Sequence, residues 1–319
     1  MDLLRQRFMA LSPGFLIANG LQIAGVAVMF IFMRQFWLAA FLAIVGCASN
    51  AAETRKLKVL TSFLPVYSFT VNVAGDLADV ENLLPPGASP HDFQLSHSDV
   101  RKFNRADVLI INGLGVETWL DKLMKSAGEK RKVIAMSQGL GKGTNPHIWL
   151  DPILAAHAVT NILRALQAAD PVNAQGYANN ANTCIQKLYD LDRAFREGLA
   201  PAKGTAIITD HDAFAHLAQR YGLRVAGVIE ETAEVSPKPS HVAKLGRIIR
   251  TQGVKAIFTE AEHPQKRAEQ LAQDYRVRLA PLHTLESGDL SRTAYEEGMR
   301  KNLAVLKNTL INHASANAQ

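Results

Sequence analysis

Four histidines follow apolar runs of strand length and carry the most specific chemistry of the chain. They are His91 in Pro-Pro-Gly-Ala-Ser-Pro-His, His147 in Asn-Pro-His-Ile-Trp-Leu-Asp-Pro, His211 in Ile-Ile-Thr-Asp-His-Asp-Ala-Phe, and His283 in Leu-Ala-Pro-Leu-His. Neutral imidazole is the commonest metal ligand, and four nitrogens close a tetrahedron around zinc. Histidines this far apart cannot form a local finger. They meet only if the fold brings distant loops together, which implies a cleft between two lobes closed by a metal ion. Strand ends are where open α/β sheets bind their ligands.

Each histidine also has a plainer reading. His91 is a loop histidine behind two prolines and a glycine, with Pro90 restraining its approach. His147 packs beside Ile148, Trp149 and Leu150, with Asp151 as its cap. His211 is flanked by Asp210 and Asp212. Either acid is suited to accept the second ring N–H of a ligating histidine, or to cap a helix beginning near Ala213; the two readings are compatible. His283 is a surface loop histidine at the end of the last strand, with Glu286 competing for the same ligand role. His97, His157, His216 and His241 fall in helical stretches, His263 precedes Pro264, and His313 lies in the tail. His97 is close enough to His91 to stay in reserve.

The elements that must position these residues are legible as alternation. Strand-length apolar runs occur at 57–62, 80–84, 108–112 and 132–136, and again at 205–209, 224–229, 256–259 and 277–282. Helical periodicity fills most gaps, at 66–74, 96–105, 213–221, 240–251 and 264–274. The expected fold is α/β: two lobes, each a roughly four-stranded parallel sheet flanked by helices. Between them, residues 171–200 show no strand signal. Pro171 suits a first helical turn, and Ile185, Leu188, Leu191 and Phe195 recur at helical spacing until Gly198 and Pro201. This predicts a rigid linker helix roughly 40 Å long. No Gly/Ser hinge is present, so large domain swings are not expected. The boundaries are 53–170 for the first lobe, 171–200 for the helix, 201–312 for the second lobe and 313–319 for a polar tail.

Residues 1–52 read as a leader. Residues 15–45 are apolar enough for one or two membrane helices, but a start at Met33 organises them better. Met33-Arg34-Gln35 is then a positive n-region, Phe36–Val45 an apolar h-region, and Cys47 to Ala52 a small-residue cleavage zone. Ile44-Val45-Gly46-Cys47 also resembles a lipobox that would lipidate Cys47. Removal of the leader leaves Cys184 alone as a small core residue, so no internal disulfide is expected. The whole chain carries +6; without its first 52 residues it has 32 basic and 28 acidic residues, a balance of +4. With no basic run and no aromatic-basic interleaving, nucleic-acid binding has no support.

Four ordered motifs carry a family resemblance. They are Pro-Pro-Gly-Ala-Ser-Pro-His-Asp-Phe, Ala-Asp-Val-Leu-Ile-Ile-Asn-Gly-Leu-Gly-Val-Glu-Thr-Trp-Leu, Asn-Pro-His-Ile-Trp-Leu-Asp-Pro, and Thr-Asp-His-Asp-Ala-Phe-Ala-His-Leu-Ala-Gln-Arg-Tyr-Gly-Leu. Together they resemble the zinc/manganese solute-binding proteins of bacterial ABC importers, in order from about Leu57 to Leu310. The resemblance implies two α/β lobes joined by a long helix, with metal between them. It also implies a periplasmic or otherwise exported monomer that passes its metal to a membrane permease powered by a separate ATPase. Residue by residue, it makes His91, His147 and His211 ligands. The fourth position departs from the pattern: the family commonly has Asp where this chain reads Leu-His283-Thr-Leu-Glu286. His283 is taken as the fourth ligand, with Glu286 or water as alternatives. Residues 125–144 contain no histidine, so the His-rich loop of many zinc importers is missing.

Ligand chemistry then favours Zn(II) as cargo, with Mn(II) as the alternative. Imidazole suits zinc, whereas manganese prefers carboxylates, and the resemblance places Glu at position 211 in manganese members. Affinity is expected to fall below about pH 6, as imidazoles protonate. A zinc hydrolase is the competing class, but it needs an open metal position and a base, and no His-Glu-x-x-His occurs. A receptor for a larger ligand such as haem or a siderophore fits the three motif histidines less well. Adhesion to surfaces has no sequence feature of its own.

Overall fold

The computed structural model describes residues 55–127, 132–141, 143–230, 238–261 and 266–312. The expected leader with its Met33 start, Cys47, His263 and the tail with His313 lie outside the described residues. No helix among the described residues is long and apolar enough to cross a membrane.

From Lys56 onward the chain forms one compact unit built on two parallel sheets. The first contains β1 (Leu57–Thr61), β2 (Ala78–Asn82), β3 (Val108–Ile111) and β4 (Lys132–Ala135), in the order β2-β1-β3-β4. The second contains β5 (Ala206–Thr209), β6 (Arg224–Val228), β7 (Ala256–Glu260) and β8 (Arg278–Leu282), in the order β6-β5-β7-β8. All eight strands coincide with the apolar runs to within two residues. Strands β3 and β5 are buried at every position, as strands covered on both faces require. The two sheets repeat one topology. In each, the chain leaves the first strand toward one edge and then crosses to the other side, which opens a crevice at the carboxyl ends of the two central strands. Those ends are β1/β3 in one sheet and β5/β7 in the other.

The helices are α1 (Leu64–Ala74), α2 (His97–Arg105), α3 (Leu120–Ala127), α4 (Pro152–Ala169), α5 (Ala174–Leu199), α6 (Ala215–Tyr221), α7 (Pro239–Gln252), α8 (Lys266–Tyr275) and α9 (Ala294–Lys307). The predicted linker is α5, 26 residues long and so about 39 Å end to end. Tyr177, Ala181, Cys184, Leu188, Leu191, Phe195 and Leu199 are its buried apolar residues. Their steps of three and four residues make one apolar stripe, packed on α4, α1 and α9. Cys184 is a buried free thiol, pushed up to about 11 by burial. It belongs to that stripe.

Helix α4 starts cleanly. Asp151 accepts the N–H groups of Ile153 and Leu154 at 2.9 and 3.2 Å, with Pro152 in the first turn, which satisfies donors that a helix leaves unpaired. Asp151 is therefore a helix cap rather than a cap for His147, and it also pairs with Arg220 of α6.

Candidate metal centre

His211 is the only one of the three clustered histidines that stands at a strand end. It lies two residues past β5, and Thr209 Oγ1 donates to its carbonyl at 2.9 Å. His91 and His147 lie farther from β2 and β4 than the apolar runs suggested. His91 ends the proline-rich loop. Its N–H donates to Ser89 Oγ at 3.3 Å, and its carbonyl accepts from Thr118 Oγ1 at 3.1 Å. His147 sits at the mouth of a short 3-10 turn, Ile148–Leu150. Trp149 in that turn is fully buried. Its indole N–H donates to the Thr284 carbonyl at 2.7 Å, and its own carbonyl accepts from Tyr295 at 2.6 Å. The aromatic wall expected beside His147 is present, with ring centroids 5.1 Å apart.

Three imidazoles and one carboxylate converge between the sheets. His91, His147, His211 and Glu286 each offer one atom, and all four atoms lie within 4.8 Å of one another. His147 Nε2 is 3.3 Å from His211 Nε2. Glu286 Oε1 lies 3.4 Å from His91 Nε2, 3.4 Å from His147 Nε2 and 3.8 Å from His211 Nε2. Zinc bonds of about 2.0–2.1 Å put tetrahedral donors about 3.3 Å apart, so the spacing suits one small dication. Glu286 Oε1 is buried with no hydrogen-bond partner, which is costly for a carboxylate unless a cation completes it.

His283 is not part of this group. Its N–H donates to Asn302 Oδ1, and its carbonyl accepts from Asn302 Nδ2, both at 2.8 Å. Asn302 on α9 is fully buried, so it clamps the main chain where β8 ends. Three residues later the chain turns through Leu285, which has a left-handed φ of 62°. A branched side chain rarely adopts this conformation. The turn delivers Glu286, not His283, to the cluster. The Leu285 side chain packs against Gly298 of α9, where an added Cβ would stand 2.2 Å from Leu285 Cδ2.

The carboxylate expected beside His211 is also a different one. Glu260, at the end of β7, contacts Nδ1 of His211. It was legible only as an acid one residue past the predicted strand, at the crevice His211 also occupies. Neither Asp210 nor Asp212 caps the turn that follows His211 through its side chain. Both carboxylate oxygens of Asp210 are buried without a hydrogen-bond partner. Burial, then Glu260 and Glu230, push its carboxyl up to about 7. Asp212 bonds Asn145 instead.

Electrostatically the metal-free site is an ion pair awaiting exchange. Burial opposes charge on His211, but Glu260 and Glu286 outweigh it and raise the imidazole to about 10. Burial also opposes charge on Glu286, yet the three histidines hold it well below the usual carboxylate range. Burial lowers His147 despite Glu286. One proton therefore sits on the cluster where a dication would go. A further carboxylate, Glu117, braces the first sheet's crevice. It accepts from Ser62 Oγ, Asn112 N and Gly113 N at 2.8, 2.7 and 3.0 Å.

Comparison with known proteins decides the family. The chain matches the family described as ZnuA, zinc-uptake complex component A periplasmic, over residues 59–309. The chain belongs to the ZnuA family. It is 30% identical over 306 residues to the high-affinity zinc uptake system protein ZnuA of Bacillus subtilis, covering 86% of this chain and 95% of that protein. Among solved structures, the Zn(II)-bound ZnuA-like domain of Streptococcus pneumoniae AdcA is 34% identical, with TM-score 0.68 over 80% of this chain and 99% of that domain. FpvC of Pseudomonas aeruginosa, solved with Ni2+ and with Mn2+, gives TM-scores of 0.75 and 0.76 at 30% and 29% identity, each over 80% of this chain and 97% and 98% of FpvC. ZnuA-family membership makes the chain a solute-binding protein of metal import systems and not an enzyme, as the missing catalytic motif led us to expect.

Proposed function

We propose that the protein captures Zn(II) between its two lobes and hands it to the permease of an ABC importer. His91, His147, His211 and Glu286 are its ligands. The observation that carries this reading is the convergence of three Nε2 atoms and one buried carboxylate oxygen within 4.8 Å. Three neutral imidazoles favour zinc over manganese, and one carboxylate balances half of the ion's charge. Four protein donors leave no open position for a catalytic water, which is the pattern of a holding site. The lobes are residues 53–170 and 201–312, with 171–200 as the stiff connection. The mature chain is an exported monomer released from a leader within residues 1–52, with lipidation of Cys47 as the alternative tether.

A broader divalent-metal receptor is the second reading, supported by the Ni2+- and Mn2+-bound structures of the similar FpvC. Titration of the metal-stripped mature chain with zinc and with manganese, against a calibrated chelator, separates the two. One tight zinc per chain with much weaker manganese supports the first reading. Preference for manganese overturns the metal assignment, and weak binding of both overturns the metal function.

A further inference from the structure

Asn145, two residues before His147, joins a ligand of the first lobe to the second lobe. Its Oδ1 accepts from the main-chain N–H of His147 at 3.0 Å and faces His147 Nδ1 at 2.9 Å. Its Nδ2 donates to the carbonyl of Asp212 at 2.7 Å and to Asp212 Oδ2 at 2.8 Å. Its own carbonyl faces His216 Nε2 of α6 at 2.8 Å. Asp212 and His216 follow β5 and belong to the second sheet's half of the chain.

The donor and acceptor inventory fixes this arrangement. A carbonyl and a carboxylate only accept, so the end of Asn145 facing Asp212 must be the NH2 group. The oxygen must then face His147, and an amide oxygen cannot donate. Nδ1 of His147 therefore carries the hydrogen, and the lone pair of Nε2 points into the cluster. One amide, oriented jointly by the main-chain N–H of His147 and by Asp212 of the second lobe, thus sets the tautomer in which a first-lobe histidine can bind metal.

We infer that Asn145 is a positioning residue, a latch that ties the ligand-competent tautomer of His147 to closure of the two lobes and slows metal release. The metal readout rests on His147 being a ligand, as proposed above; the latch itself does not. Asn145→Asp keeps an acceptor for His147 but sets a carboxylate against Asp212, so the lobes repel where they were joined. Asn145→Asp combined with Asp212→Asn restores the side-chain donor–acceptor pair in the opposite sense, while the carbonyl of residue 212 still loses its donor.

Stopped-flow release of zinc to excess chelator tests this directly. Asn145→Asp is expected to release zinc about tenfold faster, the size of one good hydrogen bond lost, and the double variant to recover part of that change. Unaltered release in Asn145→Asp, or no recovery in the double variant, overturns the latch. Spin labels at the exposed positions Arg101 and Gln273, in a Cys184→Ala background, provide a metal-free readout. The interlobe distance distribution should broaden in Asn145→Asp and narrow again in the double variant; identical distributions in all three proteins reject the latch. A parent that binds no zinc sinks the ligand assignment, and the label distances then still judge the latch.

Discussion

Nε2 of His147 and Nε2 of His211 face each other at 3.3 Å, although one histidine precedes the long helix and the other follows it. Two imidazoles this close share either a proton or a metal ion. Glu286 approaches the same point from a third segment, so the carboxylate, not a fourth imidazole, completes the set.

Removal of that carboxylate separates the two candidates for the fourth position. Glu286→Ala should weaken zinc binding by more than about 100-fold, beyond the usual cost of losing a supporting partner. His283→Ala should change it less than about threefold, because Asn302 holds His283 through its main chain. Chelator competition on both variants decides the point, and equal losses would restore His283 to the site.

Zinc must displace the proton that Glu260 and Glu286 keep on His211. With His211 at about 10, binding at pH 7.5 should release close to one proton per zinc. Affinity should then rise about tenfold per pH unit toward pH 10. Calorimetry in buffers of different ionisation enthalpy counts that proton. Glu260→Gln should reduce proton release at the same pH and, by loosening the orientation of His211, cost about 10–100-fold in affinity. Proton release equal to that of the parent would remove Glu260 from this role.

Stability of the metal-free protein should fall on both sides of neutrality for opposite reasons. His211 is raised, so its contribution is complete below about pH 6.5 and is lost as pH climbs through about 10. Glu286 is lowered, so its contribution is present above the ordinary carboxylate range and is lost as pH falls through its depressed value. Asp210 works the other way. An acid raised to about 7 destabilises the fold progressively between about pH 4 and 7. Asp210→Asn should therefore raise Tm at pH 8, with the gain shrinking toward zero near pH 4. A gain that does not vary with pH would mean the carboxylate is not the cause.

Gly298 makes room for the turn that aims Glu286. In Gly298→Ala the new methyl meets Leu285, a buried side chain whose left-handed backbone immediately precedes Glu286. Overpacking of this kind costs about 1–3 kcal/mol. Tm should drop and zinc affinity should drop with it, whereas a purely structural defect would lower Tm alone. Gly141→Ala is the comparison, because an added Cβ there meets only Thr144 Oγ1, at 4.0 Å.

Much of this architecture was readable from pattern alone. Apolar runs separated by helical spacing located all eight strands, because parallel strands buried on both faces leave little choice of residue. The apolar stripe from Ile185 to Phe195 marked the long helix for the same reason. The fourth member of the cluster was harder. His283 directly follows an apolar strand and looks better placed than Glu286, and nothing in Leu-His-Thr-Leu-Glu announces that Leu285 takes a positive φ. A glycine there would have signalled the turn. Glu260 was missed because it acts on a histidine 49 residues away in sequence, and Asn145 because its second partner, Asp212, lies across the cleft. Such partners become visible only once the sheets are paired.

The four clustered groups come from both sides of α5, two before it and two after. No fragment that lacks either half can chelate an ion with more than two of them. A chain still being synthesised therefore presents only a weak, open pair of imidazoles, which cannot trap metal before the second sheet is made. With the four as ligands, as proposed, loading would report completed folding of both halves of the chain.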